Sequence, residues 1–82
     1  MATTRSDLAI VVRRVESVLV RLLGATVRRG FEPVRVTSVE GREPGTFDVA
    51  LTVESQRPVE VLARHLANLY DVDRVEVRGH DR

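Results

Sequence analysis

The side chains with which this 82-residue chain could do chemistry are few: two histidines, scattered serines and aspartates, many arginines, and no cysteine. His65 falls beside the apolar positions Leu62 and Leu66 with no second acid or base near it in sequence. It therefore reads as a solvent-facing histidine rather than a general base. His80 lies in the tail. Asp71 and Asp73 bracket Val72, and two carboxylates across such a turn ordinarily act as local caps rather than metal ligands. Ser17 has no histidine or lysine at a spacing that would activate its hydroxyl. Without cysteine there is no disulfide, thiolate metal site or thiol nucleophile. The inventory predicts no catalytic residue, no metal site and no cofactor.

Thirteen basic residues stand against twelve acidic ones, for a net charge of +1. That balance argues against a nucleic-acid partner, which would favour concentrated positive charge. Every basic residue is arginine, which reads as the codon bias of a GC-rich genome, because the matching acids dilute any phosphate-binding field. No run approaches the ~18 apolar residues that cross a bilayer. The apolar stretch after the polar N-terminus breaks at Arg13-Arg14, so neither a membrane span nor a signal peptide is expected, and the expected location is the cytoplasm. The length allows one domain, placed at residues 7–78 between a frayed start (1–6) and a tail (79–82). A chain this short buries only about 60% of its unfolded surface, so a partner interface would add stability.

Six elements must position whatever function exists. Leu8 to Val12 is a β-branched run apolar on both faces, as in a central strand. From about Ser17, Val18, Leu19, Leu22, Leu23, Thr26 and Val27 recur at helical spacing, with Arg21, Arg28 and Arg29 on the wet side. Gly30 follows as the residue type that ends a helix in the left-handed conformation. Val34, Val36 and Val39 keep strand period, and Glu40 to Gly45 reads as a hairpin loop. Phe47, Val49, Leu51 and Val53 alternate with Asp48, Ala50 and Thr52, the clearest strand signal in the chain. Pro58 opens a second helix with Val59, Leu62, Leu66 and Leu69 as its buried stripe and Ala63 and Tyr70 flanking it. Val72, Val75 and Val77 form a last strand. The order βαββαβ predicts an α+β, ferredoxin-like domain, with two helices on one face of a four-stranded antiparallel sheet. Right-handed crossovers place strands one and three centrally and two and four at the edges. Ala9, Val11, Ala50 and Thr52 then form an uncharged strip on the face opposite the helices, where a contact is expected.

Many activities use this topology, so site residues must discriminate. An RNA-recognition motif stacks bases on sheet aromatics, whereas the aromatic of the central strands here, Phe47, lies on the core-facing alternation. A metal chaperone would need paired cysteines. An acylphosphatase-like enzyme would need a glycine-rich loop where this chain has Arg13-Arg14-Val15-Glu16-Ser17. From Val18 to Val77, however, the sequence resembles the ACT domain of acetolactate synthase small subunits. The resemblance is carried by Val18-Leu19, Leu22-Leu23-Gly24, Arg28-Arg29-Gly30-Phe31, Phe47 to Val53, and Leu66-Ala67-Asn68-Leu69-Tyr70-Asp71-Val72.

The resemblance implies a non-catalytic regulatory subunit that activates a thiamine-diphosphate-dependent large subunit and carries feedback inhibition by a branched-chain amino acid. It implies a homodimer through the edge of strand two, at Val34 and Val36. It also implies an effector loop at Arg14, Val15, Glu16, Ser17, Val18 and Leu19. The family motif there is Asn-x-x-Gly-Val-Leu, of which Val18 and Leu19 match while Arg14 and Ser17 replace the asparagine and the glycine. Ser17 is expected to disfavour a positive φ. Arg14 cannot accept a hydrogen bond from an ammonium. Weak or absent valine feedback follows. The alternative is a stand-alone ACT-type amino-acid-sensing or dimerisation module serving another enzyme.

Overall fold

The computed structural model describes residues 3–81 and contains β1 (Thr4–Arg13), α1 (Val18–Arg28), β2 (Glu32–Glu40), β3 (Thr46–Ser55), α2 (Val59–Ala67) and β4 (Val72–Asp81). The strands form one antiparallel sheet in the order β2-β3-β1-β4, the ferredoxin-like arrangement with the first and third strands in the middle.

Alternation along the strands sets the two faces. Leu8, Ile10 and Val12 on β1 and Val49, Leu51 and Val53 on β3 are buried beneath Val18, Leu22 and Ala25 of α1 and Val59, Leu62 and Leu66 of α2. Burying each such side chain contributes about 1.5–3 kcal/mol, which makes this layer the main source of stability. Phe47 packs against the same core from its edge.

Both ends of the sheet run further than the sequence suggests. β1 begins at Thr4, inside the segment expected to fray, because Thr4, Arg5 and Ser6 pair with Ser55, Glu54 and Val53. Arg5 also holds Glu54 across the strands at 2.6 Å, and Ser6 is buried. Met1 and Ala2, and Arg82 at the other end, lie outside the described residues. β4 reaches Asp81 through the segment expected to be tail, since Gly79 and His80 continue the ladder against Asp7 and Ser6. Polar sequence hid both extensions, because backbone pairing depends on the neighbouring strand rather than on side-chain type.

α1 ends as Gly30 suggests. Its φ is 89°, its N–H donates to the Val27 carbonyl, and the Phe31 N–H reaches back to Thr26, the paired bonds of a Schellman motif. Val27, expected on the buried stripe, is 56% exposed. The helix seats on Val18, Leu22, Ala25 and Thr26, which turns Val27 outward. Tyr70 also leaves the core, at 86% exposure. Among the described residues no helix is long and apolar enough to cross a membrane.

Candidate functional site

Residues 14–17 connect β1 to α1 at the end of the sheet where the β2–β3 hairpin and the α2–β4 turn also converge. The Arg14 N–H donates to the Gly45 carbonyl at 2.8 Å, and the Arg13 N–H to the Asp71 carbonyl at 2.8 Å. Arg14, Val15, Glu16 and Ser17 are exposed, Val18 is buried and Leu19 is half-buried, so the helix is anchored just where the connection ends. Ser17 stands at φ 63°, ψ 16°, and its hydroxyl makes no capping bond. Serine disfavours a positive φ, yet the backbone here takes the left-handed shape that glycine adopts freely. The Ser17 carbonyl accepts the Arg21 N–H at 3.0 Å, and Val18 donates to Val15 at 3.2 Å. These local bonds hold the shape against the Cβ penalty.

Ion pairs surround this connection. Arg14 reaches Glu40 at 3.3 Å and lies over the Phe47 ring, 5.4 Å from its centroid. Arg13 contacts Asp73 at 3.4 Å and sits over Tyr70. Arg21 bonds both Asp71 and the Glu16 carbonyl. Asp71 and Asp73, expected to be local caps, are thus partners of arginines distant in sequence. Each pair is solvent-exposed on its arginine side and contributes about 0–1 kcal/mol. Among the described residues no group of three acids or histidines could hold a metal ion. His65 is half-buried, not fully solvent-facing.

Two further surfaces matter. The sheet face opposite the helices forms an open trough of about 780 Å³, floored by Ala9, Val11 and Ala50 with Val39 and Arg74 at its sides. Thr52 lies on this face too, its hydroxyl donating to Asp7 at 2.7 Å. The anticipated strip is therefore small-residue in its centre and bordered by charge. The other surface is the β2 edge, where Val34 is 42%, Val36 40% and Val39 54% exposed. Arg21 ties one flank of α1 to Asp71, which directs the opposite flank, with half-buried Leu19 and Leu23, toward this edge. Sequence reasoning named Val34 and Val36 for this edge and did not name the apolar residues of α1. The excess width of the apolar arc, extending from Leu19 and Leu23 round to exposed Val20 and Val27, was their signal.

An ACT domain family model matches residues 14–75, and the chain belongs to that family. ACT domains are regulatory, non-catalytic modules that typically dimerise and bind amino acids. No curated protein matches the chain. Among solved structures, the acetolactate synthase small subunit from Thermotoga maritima is similar at a TM-score of 0.81 and 20% identity, covering 89% of this chain. This chain spans 46% of that subunit, about half its length. The ACT domain of GTP pyrophosphokinase from Chlorobium tepidum is similar at a TM-score of 0.73 and 14% identity, over 90% of this chain and 96% of that one. The C-terminal domain of the MgtC protein from Mycobacterium tuberculosis has a TM-score of 0.73 at 11% identity, over 94% and 87% of the two chains.

Proposed function

We propose that this chain is a regulatory subunit of acetolactate synthase, activating a thiamine-diphosphate-dependent catalytic subunit of the cytoplasm and responding weakly to valine. The observation that carries the reading is the β1–α1 connection. Its Ser17 takes the left-handed turn that the small-subunit motif assigns to glycine, directly before the matching Val18-Leu19. Similarity in fold to the Thermotoga small subunit supports it. Two chains pair through the β2 edge, where apolar side chains of strand and helix meet. The trough opposite the helices receives the catalytic subunit on Val11 and Ala50.

An amino-acid effector would meet exposed N–H groups at the start of α1, whose partial positive charge suits a carboxylate. Its ammonium would face Arg14, which donates only and repels it. Weak feedback follows from Arg14 rather than from the backbone at Ser17.

A second reading, an ACT module serving a different enzyme, is favoured by comparable likeness to the GTP pyrophosphokinase and MgtC domains. Co-expression of the tagged chain with the acetolactate synthase large subunit of the same genome separates the two. The first reading expects the pair to elute together; separate elution at micromolar concentration rejects it in favour of the second.

A further inference from the structure

The strand register sets the trough opposite the helices in rows, one side chain from each strand. In the order β2-β3-β1-β4 one row reads Val39, Asp48, Val11, Arg74, and the next reads Thr37, Ala50, Ala9, Glu76. Asp48 is out of keeping with its place. Aspartate is depleted in strands, yet this one is half-buried in a central strand, with a valine directly opposite it on each neighbouring strand. A carboxylate drawn partly out of water among apolar groups costs free energy unless something bonds it.

Other acids on this face have partners within the chain. Glu76 is held by Arg78 at 3.1 Å, and Asp7 accepts the Thr52 hydroxyl at 2.7 Å. The Asp48 carboxylate has no hydrogen bond or ion pair among the described residues, and neither have the guanidinium groups of Arg42 and Arg74, which line the same trough. Arg74 stands two strands from Asp48, about 9.5 Å at the usual strand spacing, with Val11 between them. The row thus presents an acid and a base, each without a counter-charge, on either side of an apolar floor.

We infer that the catalytic subunit docked in this trough supplies both counter-charges: a basic side chain over Asp48 and an acidic one over Arg74, flanking an apolar side chain seated on Val11. Docking excludes water from both pairs, which strengthens them relative to pairs on the open surface. They also fix direction. A partner laid end for end would set base against Arg74 and acid against Asp48, and that repulsion rejects the reversed orientation.

The inference rests on the regulatory-subunit reading, and one set of variants tests the two separately. Asp48→Asn and Arg74→Gln are compared with the unmodified chain and with Glu60→Gln, which removes a charge from an exposed position on α2, away from the trough. Affinity for the acetolactate synthase large subunit of the same genome is measured by biolayer interferometry at low and high salt, and stability by urea unfolding. Asp48→Asn and Arg74→Gln are each expected to weaken binding about tenfold at low salt and by less at high salt. Glu60→Gln is expected to bind as the unmodified chain does. The urea midpoint of Asp48→Asn should stay or rise, because a half-buried charge without a partner is removed. A lower midpoint would make Asp48 a residue of the fold and overturn the inference. Affinities that move in opposite directions would mark an effect of net charge and overturn it too. Unchanged affinity in both variants, with binding abolished by Val11→Glu, overturns the counter-charges while keeping the trough as the docking face. An unmodified chain that does not bind the large subunit rejects the regulatory-subunit reading, and the inference with it.

Discussion

The two helices of this domain start in opposite ways. α2 is entered from buried Ser55, whose hydroxyl donates to the Gly30 carbonyl at 2.8 Å and accepts the Arg57 N–H at 3.0 Å, and Pro58 then presets an extended approach. That start is stitched to the end of α1, on the far side of the core. α1 is entered through four exposed residues with an uncapped, left-handed Ser17. One junction ties its polar groups to the end of α1; the other is held by bonds at its own end of the sheet and carries a residue in the left-handed region.

Substitutions at the two junctions should differ in what they change. Ser55→Ala leaves the Gly30 carbonyl and the Arg57 N–H without their partner, at a cost of about 1–3 kcal/mol. Urea unfolding should show this as a lower midpoint at unchanged slope. Arg14→Asn should leave the midpoint in place, because its ion pair with Glu40 is exposed. It supplies the acceptor an ammonium needs, and valine affinity measured by isothermal titration should rise about tenfold, worth ~1.4 kcal/mol. Unchanged affinity would show that Arg14 is not what weakens the site.

Ser17→Gly should act in the opposite sense to Ser55→Ala. Relief of a left-handed non-glycine residue gains roughly 1–2 kcal/mol, and the added freedom of the unfolded chain returns about 0.4–1 of it. A net stabilisation of up to about 1.6 kcal/mol is expected in the same urea experiment. A lower midpoint would mean that Ser17 is held by contacts its conformation does not suggest.

The element order and most of the core stripes could be read from periodicity, and the strand positions from the hand of the crossovers. Phe47 to Val53 declares its buried face by alternation alone, and Gly30 declares the end of α1. What escaped was set by neighbours distant in sequence. Thr4 to Ser6 are strand because β3 is there to pair with them. Asp71 and Asp73 are ion-pair partners because β1 and α1 bring Arg13 and Arg21 to the same end. Ser17 carried a misleading signal, since intrinsic preference opposed the positive φ that the loop's hydrogen bonds impose. The loop's place was legible from its matching Val18-Leu19; its shape was not.

The most direct test of the whole account is acetolactate formation by the catalytic subunit, titrated with the unmodified chain and with Val11→Glu. Val11 sits half-exposed in the trough away from the core, so the charge should leave the domain folded by circular dichroism. The rate is expected to rise and saturate with the unmodified chain and to stay at the basal level with folded Val11→Glu. Equal activation by both would contradict the trough as the docking face, and no activation by the unmodified chain would contradict the regulatory assignment.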